Sequence, residues 1–223
     1  MQLKNLFRQM REPVNGLTHY FAALVAVIGL IALLALSRGD RAKQETLLVY
    51  GASLVLMLTT SAAYHLIQGS PQRMQLLRKL DHSAIFILIA GTYTPICANL
   101  FAGFWQEGML TIIWTLAIIG TISKIFLINT PRWFTALIYL GMGWLSLIAI
   151  QEILLALPAG ALIWLMLGGI AFTLGAVVYI TRILDFAPGV FGFHEVWHIF
   201  VIVGCLCHFI LILVYVAPTP PVF

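Results

Sequence analysis

The chain reads as an all-α, polytopic membrane protein of about seven transmembrane helices, and three features of the sequence predict it. Hydrophobic residues fill 61% of the 223 positions and charged residues only 9%, too little polar surface to cover a water-soluble globule of this size. Apolar runs of 17 or more residues recur, each long enough to cross a hydrocarbon core of roughly 30 Å at about 1.5 Å per residue. Between them, polar and helix-breaking residues cluster at Ser37 to Glu45, Gln68 to Lys79, Phe101 to Gly108, Asn129 to Arg132, Pro158, and Asp185 to Gly192. Crossings of this length are helices and not barrel strands.

The spans fall at about 15–37, 47–67, 82–100, 109–128, 133–151, 160–181 and 194–216. Residues 1–223 are expected to form one seven-helix domain, with 1–14 a cytoplasmic segment. The first dozen residues are mixed polar and basic, and the apolar run after them is too long for a signal-peptide core. The first helix is therefore expected to stay in the mature protein. Short connections make consecutive helices near neighbours.

Orientation follows from the basic residues, because Lys- and Arg-rich loops stay in the cytoplasm. With the N-terminus inside, that side collects Lys4, Arg8, Arg11, Arg73, Arg78, Lys79, Lys124, Arg132 and Arg182, while the outside keeps Arg38, Arg41 and Lys43. The C-terminus is then outside. This is opposite to the G-protein-coupled receptors, so no G-protein partner is expected. The net charge of +4 comes from residues spread over loops without a basic, aromatic-interleaved cluster, which argues for topology and against nucleic acid. Cys97, Cys205 and Cys207 lack CxxC spacing and read as small core residues. Gly141 with Gly143, and Gly168 and Gly169 with Gly175, are expected to let helices approach closely.

Ionisable side chains inside a membrane cost about 2.5–3.5 kcal/mol each even on lenient scales, and here they gather. His65 lies near the end of span two, Asp81 opens span three, and His194 and His198 open span seven. The alternating directions of the spans bring all four to one depth at the cytoplasmic face. His194 and His198, four apart, share one helix face, as paired imidazoles do when they chelate one ion. A third nitrogen from His65 would leave a tetrahedral Zn2+ one open position for water, the catalytic pattern. Ser61, four residues before His65, could orient that imidazole or bond the water, and Asp81 could accept the water's proton. Asp81 also has a simpler reading, as the cap of the third helix beside Arg78 and Lys79.

Glu12, Asn15 and His19, spaced three and four apart, either line the cavity around the ligands or belong to an ordinary amphipathic helix start at Pro13. His82 falls on a different part of the helix surface from Asp81 and takes no role. His208, about 15 Å deeper than His198, reads as structural. His194-Glu195-Val196-Trp197-His198 also satisfies the HExxH pattern of metalloproteases. The downstream ligand is missing, however: Ile199 to Phe223 holds no Asp or Glu, and position 204 is glycine.

Glu12-Pro13-Val14-Asn15-Gly16-Leu17-Thr18-His19, Ser61-Ala62-Ala63-Tyr64-His65 and His194 to His198 fit E-x2-N-x3-H, S-x3-H and H-x3-H in order. Arg78 to Ser83 and Gly91 to Pro95 add to the match. By these motifs the chain resembles the bacterial hemolysin III family, the prokaryotic branch of the progestin and adiponectin receptor family. The resemblance implies a seven-helix, N-in fold in a bacterial inner membrane and zinc on His65, His194 and His198, with Asp81 and Ser61 close to a water. It also implies kinship with ceramide-type lipid amide hydrolases, and it favours Asp81 over Glu195 as the acid/base. The expected activity is zinc-dependent hydrolysis of a membrane-lipid amide or ester, the lipid reaching the site sideways from the bilayer. The alternatives are a regulator or sensor of membrane lipid state with structural zinc, a pore former, and a membrane protease.

Overall fold

The structure, a computed structural model, describes residues 10–187 and 190–219. Lys4 and Arg8 of the orientation argument lie outside the described residues. Among the described residues, seven helical spans are long and apolar enough to cross a membrane. They are α1 (Pro13–Leu36), α2 (Arg41–Leu66), α3 (Pro71–Leu100), α4 (Gly103–Phe126), a fifth span broken in its middle, α7 (Ala159–Thr181) and α8 (Phe193–Leu211) with its π-turn extension Ile212–Val216. The fifth span is α5 (Arg132–Trp144), a 3-10 segment Leu145–Ala149 and α6 (Ile150–Ala156). Large apolar residues such as Phe21, Ile28, Ile31, Phe126 and Leu155 point outward and exposed, as they must where the solvent is lipid.

Local sequence sets most boundaries. Pro13 sits in the first turn of α1, where its missing N–H costs nothing. Gly39, at φ 93°, turns the chain into Asp40, whose carboxylate caps α2 by accepting from the Lys43 N–H at 3.0 Å. Ser70 and Pro71 start α3, and Gly103, at φ 56°, makes the turn into α4. The Lys43 ammonium is buried and donates to the Thr219 carbonyl, tying the end of the chain to α2.

Two expectations are corrected here. Span three is a 30-residue helix that starts at Pro71, so Asp81 does not open it and does not cap it; Ser70 does. Apolarity near residue 82 marks where α3 meets hydrocarbon, since a helix of about 45 Å overshoots a core of roughly 30 Å. Span two likewise begins at Arg41 and span four at Gly103, each about six residues before its apolar run. The second correction concerns glycine. Gly168, Gly169 and Gly175 do face partner side chains, His208, Trp144 and Phe200, but Gly141 and Gly143 have open space where a side chain would point.

The break in the fifth span has a visible cause. The Tyr93 hydroxyl reaches from α3 into the helical ladder, accepting from the Ser146 N–H at 2.8 Å. It donates its one proton to the Met142 carbonyl at 2.9 Å or the Gly143 carbonyl at 2.8 Å. A side chain inserted among the backbone groups replaces part of the i→i−4 pattern, and the helix tightens and bends.

Sequential neighbours pack together along the first four spans, α7 packs on α5 and α8, and α8 returns to α1. The starts of α1, α3, α5 and α8 therefore share one end of the bundle with the ends of α2, α4 and α7. Two direct contacts fix this: the Glu12 N–H donates to the His65 carbonyl at 2.9 Å, and the Arg132 guanidinium lies 5.6 Å from the rings of Tyr179 and Phe193.

Candidate metal centre

At that end three imidazoles converge. His65, in the last turn of α2, and His194 and His198, in the first two turns of α8, each offer one ring nitrogen, and these atoms lie within 4.8 Å of one another. Ring centroids are 4.7 Å apart for His65 and His198, 4.9 Å for His194 and His198, and 5.3 Å for His65 and His194. His65 and His198 are buried and His194 half-buried.

The residues fit a metal ion by their unmet hydrogen bonds. His194 Nε2 and His198 Nδ1 are buried and have no protein partner. An orphaned buried nitrogen is costly, and two of them in a cluster of three imidazoles fit a cation that neutral imidazoles bind well. His65 Nδ1 is held 2.6 Å from Glu12 Oε2, which fixes the ring and leaves Nε2 for the ion. Burial alone would raise the Glu12 carboxyl pKa. The bond to the His65 ring, the Arg11 guanidinium at 3.0 Å and the Asn15 amide oppose this by favouring the carboxylate, and they lower the Glu12 pKa.

Of the two roles read for Ser61, the one at the His65 ring is taken by Glu12, 53 positions away. Asn15 extends the network, its amide donating to Glu12 Oε2 at 3.2 Å and to Glu195 Oε1 at 2.8 Å. His19 stacks against His198 with ring centroids 4.0 Å apart, both its nitrogens buried and unpartnered. All three residues of the α1 stripe face the cavity, which a merely amphipathic helix start does not require.

Asp81, three turns into α3, presents its carboxylate to the same space with the Ser61 hydroxyl in reach. His82, unassigned from sequence, has a structural role beside it: Nδ1 lies 2.9 Å from the Arg78 carbonyl and 3.2 Å from Asp81 Oδ2. Glu195 is occupied elsewhere, because Oε1 accepts from Asn15 and Oε2 from the Gly192 N–H at 2.8 Å. The glutamate of the HExxH match therefore braces the start of α8. His208 sits deep against Phe172 and the Leu165 carbonyl, away from the triad.

From the triad a cavity of about 800 Å³ runs down the bundle, lined by apolar side chains such as Leu54, Leu88, Ile96, Met109 and Ile153. Leu147, Leu154 and Met166 line it and are also exposed to the outside of the bundle, so it communicates with the lipid side of the fifth and sixth spans.

Fold and site together define a class: a multi-pass membrane protein whose seven helices gather a buried histidine triad at one end of an apolar cavity. Residues 7–209 match the family described as Haemolysin-III related, and the chain belongs to that family. It is 37% identical over 210 residues to Hemolysin-3 of Bacillus cereus, covering 93% of each chain. It is 31% identical over 217 residues to a Hemolysin-3 homolog of Bacillus subtilis, covering 96% of this chain and 99% of that one. More distantly, it is 27% identical over 230 residues to the Adiponectin receptor protein of Drosophila melanogaster, covering 92% of this chain and 51% of that protein. These bacterial relatives accord with a bacterial inner membrane.

Proposed function

We propose that this protein is a zinc-dependent hydrolase of an amide or ester bond in a membrane lipid, with His65, His194 and His198 as the zinc ligands. The observation that carries the reading is the pair of unpartnered triad nitrogens, His194 Nε2 and His198 Nδ1, at the head of an apolar cavity that Asp81 also lines. A bound zinc ion supplies Lewis acidity, polarising a carbonyl and lowering the pKa of a water.

The chain's own residues do the rest. The cavity takes the acyl chain, which arrives from the bilayer past Leu147, Leu154 and Met166. Asp81 accepts the proton of the attacking water and returns it to the departing amine or alkoxide, acting as base and then acid. Ser61 and His82 flank that carboxylate, Glu12 fixes the His65 ring, and Asn15 with Glu195 keeps the starts of α1 and α8 together. The charge pattern of the loops supports an N-in orientation, which puts the site at the cytoplasmic face.

The test is release of fatty acid from a panel of lipid amides and esters by purified, zinc-loaded protein. Asp81→Asn should keep its metal and lose turnover by about 100-fold or more. No release by the loaded wild-type protein from any lipid overturns the reading.

A second reading has its own support in the burial of His65 and His198, which suits a structural ion joining α2 to α8 around a bound lipid. In that case Asp81→Asn is silent in cells, while His198→Ala unfolds the bundle.

A further inference from the structure

The same end of the cavity carries a second cluster, built from cations and hydroxyls. Lys124, in the last turn of α4, is buried, and its ammonium donates to Thr130 Oγ1 at 2.5 Å and Thr135 Oγ1 at 2.7 Å. Both acceptors are neutral, and an ammonium has three protons to give. Arg78, on α3, donates to Asn129 Oδ1 at 3.5 Å in the turn that follows α4, the turn that also carries Thr130, a partner of the lysine. Arg132, in the first turn of α5, lies over Tyr179 and Phe193 by its face. All three cations line the cavity, and none takes part in the ion pairs of the described residues. Asp81, the nearest acid along α3, lines the same cavity; it lies 3.2 Å from His82 Nδ1 and makes no ion pair with these cations among the described residues.

With no carboxylate in ion-pair contact among the described residues, a buried ammonium and two arginines form a cationic cluster that favours a counter-anion. Convergent forked donors and hydroxyls suit a tetrahedral oxyanion with several acceptor oxygens. Position narrows the class further. Arg78 and Asp81 are three residues apart on α3, so Arg78 is about one helical turn from the carboxylate, toward the start of the helix. A molecule with its acyl chain in the cavity and its scissile bond at Asp81 would extend its polar end into this cluster.

We propose that Arg78, Lys124 and Arg132 form a phosphate site at the mouth of the cavity that holds the headgroup of an anionic, phosphate-bearing lipid. This rests on the lipid-binding reading above and specifies its ligand. It is tested by binding, so that it stands or falls apart from catalysis. Purified protein in zwitterionic detergent is titrated with phosphatidylglycerol, with phosphatidylcholine of the same acyl chains, and with inorganic phosphate, and complexes are counted by native mass spectrometry. The titrations are repeated in the Asp81→Asn background to exclude turnover.

Phosphatidylglycerol should bind about tenfold tighter than phosphatidylcholine. Lys124→Met and Arg132→Gln should each reduce that preference to about threefold or less, by weakening phosphatidylglycerol binding more than phosphatidylcholine binding. Arg132→Gln stands as the independent variant where Lys124→Met does not fold, since the arginine donates no hydrogen bond to a buried partner. Equal binding of the two lipids by the wild-type chain overturns the proposal, as does a preference that survives in every folded variant. Inorganic phosphate binding as tightly as phosphatidylglycerol identifies a free-anion site and overturns the headgroup assignment.

Discussion

Glu12 is the residue whose role changes most between sequence and structure. As one of a stripe on α1 it reads as a cavity-lining acid; in three dimensions its carboxylate holds the His65 ring at 2.6 Å and accepts from Asn15. A carboxylate on the far nitrogen of a ligating imidazole fixes ring and tautomer and raises ligand basicity. Glu12→Gln should therefore weaken zinc binding by about 10- to 100-fold with the helical content retained, as measured by competition with a chromogenic chelator. Ser61→Ala should leave zinc affinity unchanged and slow turnover, because its hydroxyl faces Asp81 and the His65 ring is held by another group. An equal loss of zinc in both variants contradicts this division of labour.

At the scale of elements, the fifth span holds the most specific packing. Tyr93 substitutes one phenol for backbone partners that the 3-10 break has displaced, and its removal leaves the Ser146 N–H without an acceptor. Tyr93→Phe should cost about 1–3 kcal/mol, read as a lower melting temperature in detergent. Glycines provide an internal control. A methyl group at Gly168 would collide with His208, so Gly168→Ala should destabilise by about 1–3 kcal/mol, whereas Gly141→Ala points into open space and should be near neutral. The small-residue stripe read from sequence mixes these two kinds, because glycine frequency alone does not say which face of a helix meets a neighbour.

For the whole molecule, the triad joins the end of α2 to the start of α8, elements 129 positions apart at their nearest ligands, His65 and His194. An ion bound to the folded bundle alone stabilises it by mass action, about 4 kcal/mol at a thousandfold excess over its dissociation constant. Stripping the metal with a chelator should lower the melting temperature by several degrees, and zinc should restore it. Orientation has its own measurement. Cys97, Cys205 and Cys207 are all buried, so a single new cysteine can be labelled with little background. With the N-terminus inside, a membrane-impermeant maleimide should modify Arg41→Cys in intact cells and leave Lys79→Cys untouched; the reverse pattern would invert the topology and move the site to the outer face.

The sequence by itself determined the class, the number of crossings and which three histidines come together. Apolar length is a direct consequence of hydrocarbon thickness, and ionisable residues in a membrane are so costly that His65, Asp81, His194 and His198 stand out without any structure. Hydropathy could not show that α3 begins at Pro71, because the three turns before Asp81 are polar and lie beyond the hydrocarbon. Nor could it show which groups meet across the bundle. The Glu12–His65, Asn15–Glu195 and Tyr93–Ser146 bonds join residues 53, 180 and 53 positions apart. Lys124 read only as a topological charge until folding set it between Thr130 and Thr135. Tertiary structure alone decided these pairings, since the energy of a buried polar contact depends on which partner packing brings within about 3 Å, and local spacing carries that information only within one helix.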